Sequence, residues 1–261
     1  MSVNVISPLR VAAVQMDVKI GNVPANRALI LDRLNEAAKA GARLIAFPEC
    51  ALTGYGFESR EEAWVFAEPI SGPSVQSVQS ECARLGVAAA FGLLERDGDR
   101  LFNACVLVGP SGLIGSYRKV HLPFLGVDRF ADPGDRPFAI HEFEGLRIGM
   151  HICYDGAFPE TGRVLSLLGA DLLLLPTNWP THSECAAVHM IACRAFENVV
   201  YAMAVNRVGE ERGFRFIGRS SIAGPNGEIL KAAGPASEEI LCVEIDPARA
   251  RQKRLIRVPG K

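Results

Sequence analysis

Two nine-residue stretches far apart in the chain share one plan: Gly41-Ala-Arg-Leu-Ile-Ala-Phe-Pro-Glu49 and Gly169-Ala-Asp-Leu-Leu-Leu-Leu-Pro-Thr177. Each follows a segment of helical periodicity and opens on a glycine suited to end that helix. Each then runs through an apolar strand into proline and a polar residue. The echo reads as two β-α-β halves placed back to back. The rest of the pattern agrees. Strands are expected at 9–16, 43–48, 87–95, 101–108, 113–119, 138–143, 146–153, 171–176, 199–206, 215–223, 228–233 and 239–245. Helices are expected at 24–40, 74–85, 159–168 and 182–198. Asp97-Gly98 and Pro110-Ser111-Gly112 are hairpin turns between neighbouring strands. Mixed strands with helices outside imply an α/β sandwich of two packed sheets.

No linker or low-complexity tract interrupts the 261 residues, so one domain is expected over 1–261, with a C-terminal tail at about 246–261. That tail carries basic residues at 249, 251, 253, 254, 257 and 261. It reads either as a solvated end or as a segment reaching a neighbouring copy. A formal net charge of −1 removes the electrostatic motive for binding nucleic acid or an anionic membrane. No apolar run approaches the ~20 residues that span a bilayer. The first ten residues lack the basic segment and apolar run of a secretory leader. Seven cysteines, an odd number without a C-x-x-C pair, read as reduced thiols rather than a disulfide framework or zinc cage. A cytoplasmic protein is expected.

Open α/β sheets bind ligands beyond the carboxyl ends of their strands. Three predicted strands end there in reactive groups: Glu49, Lys119 and Cys153. Singly, each has a plain reading as a solvated acid, an edge-strand lysine and a small core residue. Cys153 differs in its setting, between an apolar strand and a helix opening at Pro159. A nucleophile on such a turn is exposed, with backbone N–H groups beside it for an oxyanion. A free thiol has a pKa of about 8.5, so an attacking cysteine needs a base or a cation nearby. Glu49 and Lys119 are candidates for those parts. Two rivals use histidine. His151 shares a strand face with Cys153, but an i, i+2 pair stands roughly 6–7 Å apart. His182 and His189 are two helical turns apart beside Glu184 and Cys185, yet lack a recognised metal-ligand spacing.

Phe47-Pro-Glu-Cys50, Tyr117-Arg-Lys-Val-His-Leu-Pro123 and Cys153-Tyr-Asp-Gly-Ala-Phe-Pro-Glu160 together resemble the three signatures of the nitrilase superfamily, the carbon–nitrogen hydrolases. Arg194-Ala-Phe-Glu-Asn198, Asn206-Arg-Val-Gly209 and Gly218-Arg-Ser-Ser-Ile-Ala-Gly-Pro-Asn-Gly227 resemble its later pattern. The likeness covers about residues 9–245. It implies a four-layer α-β-β-α sandwich, a homodimer or higher homo-oligomer paired across a helical surface, and no metal or other cofactor. It also implies a catalytic Glu49–Lys119–Cys153 triad, with the oxyanion held by Lys119 and the backbone N–H of Tyr154. Many members place an auxiliary glutamate about ten residues past the lysine. Asp128 stands there in this chain, one methylene shorter.

Cys153-Tyr154-Asp155 resembles the amidase and carbamoylase branches, where nitrilases typically carry Cys-Trp-Glu. The implied reaction is hydrolysis of a small linear amide through a cysteine thioester. The alternatives are an N-carbamoyl amine or amino-acid amidohydrolase, a nitrilase, or a non-catalytic protein of the same fold. Gly156-Ala157 replaces the arginines that carbamoyl-amino-acid hydrolases often carry after the nucleophile, which favours a neutral or amine-bearing substrate. Tyr55, Phe124, Tyr154, Asn178 and Trp179 are the candidate substrate-binding residues.

Overall fold

The computed structural model describes residues 7–253. Its strands are β1 (Leu9–Gln15), β2 (Leu44–Ala46), β3 (Ala88–Asp97), β4 (Arg100–Gly109), β5 (Gly112–Arg118), β6 (Ile140–Phe143), β7 (Leu146–Met150), β8 (Leu172–Pro176), β9 (Tyr201–Val205), β10 (Glu210–Glu211), β11 (Phe214–Arg215), β12 (Ser221–Ala223), β13 (Ile229–Ala232) and β14 (Glu239–Ile245). Its α-helices are α1 (Val23–Lys39), α2 (Arg60–Phe66), α3 (Pro73–Leu85), α4 (Pro159–Leu167), α5 (Ile191–Asn198) and α6 (Pro247–Arg251).

Twelve of these strands form two six-stranded sheets, ordered β14-β1-β2-β3-β4-β5 and β13-β12-β9-β8-β7-β6. From β14, the first sheet pairs antiparallel, parallel, parallel, antiparallel, antiparallel. From β6, the second repeats that order. The echo strands β2 and β8 are third in each sheet, so the repeated sequence marks a repeated position in space.

Alternation along the strands divides the core. Val11, Ala13, Leu44, Ala46 and Leu107 of the first sheet face Ile148, Met150, Leu172, Leu174 and Met203 of the second. The opposite strand faces bury Ala12, Val14, Ile45 and Ala89 against Ile30, Leu34, Val75 and Val78 of α1 and α3. Leu173, Leu175, Ala202 and Ala204 meet Leu165, Ile191 and Ala195 of α4 and α5. The result is the expected four-layer α-β-β-α sandwich.

Three segments depart from the sequence expectation. The strand expected at 215–223 breaks because Gly218 and Arg219 take left-handed conformations, with φ of +57° and +59°. Only Ser221–Ala223 joins the second sheet, while β11 pairs with β10 in a separate hairpin. The helix expected at 182–198 begins two residues later, at Glu184, and passes through a π turn at Ala186–Met190 into α5, after His182 at φ +76°. Helix α2 was not anticipated; Ser59 caps it by accepting the Glu62 backbone N–H.

Residues 246–253 lie against their own chain. Arg251 donates to both carboxylate oxygens of Asp171 at 3.0 and 2.6 Å, and Lys253 donates to the carbonyls of Asn198 and Val199. This described part of the tail is anchored to its own chain. Residues 254–261 lie outside the described residues.

Candidate active site

Glu49 follows β2 on a tight turn that passes against β3. The approach is close enough to require Gly92. A Cβ there would lie 2.3 Å from the Cys50 nitrogen and 2.7 Å from Glu49 Cα. Lys119 follows β5, its backbone N–H donating to Asn103 of β4 at 2.8 Å. Asp128 lies on a 3-10 turn, Gly126–Arg129, beside this chain end.

The side chains of Glu49, Lys119 and Asp128 are buried and directly paired. Lys119 Nζ lies 2.7 Å from Glu49 Oε1 and 2.6 Å from Asp128 Oδ2. The shorter Asp128 thus reaches the ammonium. The Tyr55 hydroxyl donates to Asp128 Oδ2 at 2.8 Å. Asn103 Nδ2 donates to both Glu49 Oε1 and Asp128 Oδ1. Glu49 Oε2 has no hydrogen-bond partner.

Cys153 begins a second 3-10 turn, Cys153–Ala157, three residues beyond β7 and with φ +45°. A left-handed non-glycine residue stores of order 1–3 kcal/mol of strain unless its surroundings hold it. Asp155 holds this turn. Its carboxylate accepts from the Ile152 N–H at 3.0 Å, the Tyr117 hydroxyl at 2.8 Å and the His121 backbone N–H at 2.9 Å. The turn is thereby tied to the chain around Lys119. Thr177, the echo counterpart of Glu49, donates its hydroxyl to Cys153 Sγ at 3.3 Å.

Burial sets the electrostatics. It pushes the Glu49 carboxyl upward, with the Asp128 charge adding to the rise and Lys119 and Asn103 opposing it. Burial pulls the Lys119 ammonium down, but Asp128 and Glu49 outweigh it and leave the group well above its ordinary value. The Cys153 thiol is pushed up to about 12, first by burial and then by the Glu49 charge, against the pull of Lys119 and of donors from Thr177 and the Asn178 backbone. The resting sulfur is therefore a thiol that feels the Lys119 charge.

A cavity of about 390 Å³ opens above it, lined by Cys153, Tyr55, Tyr154, Asn178, Trp179, Met190 and their neighbours. Among the described residues, none of the lining groups is Asp, Glu, Lys or Arg. Asn178 is buried with both side-chain amide atoms unpartnered. Trp179 packs into the core beside α5 and also walls the cavity, its backbone N–H held by Asn206 Oδ1 at 2.9 Å. Phe124 is the candidate residue not brought in. It is 89% exposed and lines a separate depression with Arg129 and Arg212. Its neighbours Pro123 and Leu125 line the cavity, so only the Phe124 side chain points away.

His151 is buried, its pKa pushed down to about 4 chiefly by that burial, and it does not line the cavity. His182 lies at the cavity wall and His189 in the π turn. Among the described residues, no group of three or more His, Cys, Asp or Glu is placed to hold a metal ion. Sequence reasoning missed Asn103, Thr177 and Asp155. A signal existed for Asn103, a lone amide in the apolar run Leu101-Phe-Asn-Ala-Cys-Val-Leu-Val108.

The family pattern described as carbon–nitrogen hydrolase matches residues 10–255. The chain is 41% identical to a nitrilase from Pyrococcus abyssi, covering 95% of this chain and 93% of that one. It is 32% identical to an (R)-stereoselective amidase from a Pseudomonas species, with 94% and 88% covered. Among solved structures, an amidase of the nitrilase superfamily from Nesterenkonia AN1 superposes with a TM-score of 0.82 at 25% identity, over 95% of both chains. A mutant of that amidase has been solved with the acetamide moiety of fluoroacetamide added covalently at its active-site cysteine. The chain belongs to the carbon–nitrogen hydrolase family, within the nitrilase superfamily.

Proposed function

We propose that the protein hydrolyses small, uncharged carboxamides through a thioester on Cys153, with Glu49, Lys119 and Cys153 as the catalytic triad. One observation carries the reading: a buried Glu49–Lys119 ion pair acts electrostatically on a thiol that lines an uncharged cavity. Glu49 takes the thiol proton as sulfur attacks the carbonyl carbon. The oxyanion forms beside the Lys119 ammonium and the backbone N–H of Tyr154. Glu49 then passes its proton to the leaving nitrogen, the C–N bond breaks and ammonia departs. Water, deprotonated by Glu49, attacks the thioester carbonyl, and the acid leaves as sulfur regains a proton. Asp128 holds Lys119 in place. These steps use no metal or organic cofactor.

The absence of a charged lining group favours neutral acyl chains over carbamoyl amino acids, whose carboxylate would be buried without a partner. Tyr55, Tyr154 and Trp179 supply the walls and Asn178 the unpaired amide for a polar substituent. The name of the Pyrococcus relative keeps a nitrile as the second substrate to test. Ammonia release from aliphatic amides, ω-amide acids, N-carbamoyl amines and aliphatic nitriles decides among them. The expected order places neutral amides first. Cys153→Ala should fold and lose turnover by at least about 10³-fold; near-wild-type turnover in that variant overturns the triad.

We further propose a cytoplasmic homodimer that pairs across the outer faces of α4 and α5, where Leu167 is 78% exposed and Val164, Leu168 and Phe196 are also open.

A further inference from the structure

The two oxygens of Glu49 are unlike. Oε1 accepts from Lys119 Nζ at 2.7 Å and from Asn103 Nδ2 at 2.7 Å, while Oε2 is buried and accepts from nothing. Asn103 divides its two amide protons between two acids, the second going to Asp128 Oδ1 at 2.9 Å. Its own orientation is set from both ends. The Cys50 thiol lies 3.6 Å from Asn103 Oδ1, and a flipped amide would turn that oxygen toward two carboxylates. Two acids beside a single ammonium leave one negative charge uncompensated, and the Asn103 N–H groups are neutral donors aimed at both.

We propose that Asn103 is a positioning residue that pins Glu49 Oε1 and leaves Oε2 as the atom that carries the proton. The inference rests on the reading of Glu49 as the base. The groups bearing on Glu49 are Lys119 beyond β5, Asp128 and Tyr55 from the flanking loops, Cys50 next in sequence and Cys153 beyond β7. Of these only Lys119 is cationic, so removing the amide leaves the second carboxylate charge without a donor on its Asn103 side. Glu49 then holds its proton to higher pH. The base works as the carboxylate, so the acid limb of kcat/KM moves upward.

The test compares wild type with Asn103→Leu, which cannot donate, and with the isosteric Asn103→Asp, which places an acceptor where the donor was. Amide turnover and the rate of Cys153 alkylation by iodoacetamide are followed against pH, with folding checked by circular dichroism. The expected result is an acid limb raised by about one pH unit in Asn103→Leu and further in Asn103→Asp, with KM changed less than kcat. A limb at its wild-type position in the folded variants, with or without a lower kcat, overturns the proposal. Cys153→Ala run alongside separates the two failures. If it retains turnover the thioester reading falls, and if it is inactive while the limb stays still, only the role of Asn103 falls.

Discussion

Gly92 has no reactive atom, yet the position of Glu49 depends on it. Its N–H donates to the Pro48 carbonyl at 3.1 Å, its carbonyl accepts from Leu52, and its bare Cα lets the acid-bearing turn lie on β3. Gly92→Ala is expected to cost about 1–3 kcal/mol of stability through forced backbone movement. It should also lower kcat by roughly 10²-fold, because an ångström of displacement at a reacting group costs that much. Urea melts and steady-state kinetics on one preparation check both, and unchanged kcat would show the turn to be tolerant. Glu49, Lys119 and Cys153 were legible in sequence because reactive groups at three strand ends stand out against apolar runs. The buried donors were not, since Asn103, Thr177 and Asp155 acquire their partners only when distant strands meet. No spacing along the chain encodes that.

Helix α5 ends on Val199 in a left-handed conformation at φ +51°, a costly choice for a β-branched residue. Lys253 offsets it by donating to the Asn198 and Val199 carbonyls at 3.0 Å each, a cation at a helix C-terminus. Two residues earlier, Arg251 joins Arg147 on Asp171. Burial alone would raise the Asp171 carboxyl, but the hydrogen bonds from Arg251 and Arg147 hold it below its ordinary value. The group therefore adds stability above the unfolded carboxylate value, about 3.9, and loses it as pH falls through the lower folded one. Asp171→Asn is expected to lower the urea-unfolding free energy by about 1–3 kcal/mol near neutral pH, with the difference shrinking in strong acid. A deficit independent of pH would count against this account. Strand and helix periodicity placed most elements correctly. The failure at 215–223 came from left-handed residues inside the expected strand, a backbone choice that periodicity does not register.

Two sheets with matching pairing order each deliver part of the candidate site. The outer faces of the molecule differ in finish. On α4 and α5 the exposed side chains include Leu167, Leu168, Val164 and Phe196, a surface that water disfavours. Leu167→Glu should shift the proposed dimer toward monomer in light scattering while leaving the fold intact. A wild-type monomer, or a dimer indifferent to the charge, would place the interface elsewhere. Among the described residues, no helix is long and apolar enough to cross a membrane. What could be read from the linear chain was local in origin: the apolar periods, the echo that builds β2 and β8, and the three reactive strand ends. These follow from propensity and patterning, which act over a few residues. Which oxygen of Glu49 lacks a partner, that Asp128 reaches Lys119, and that Phe124 turns away were settled by packing. Those outcomes depend on ångström-scale separations between segments far apart in sequence, and such separations exist only after the two sheets close on each other.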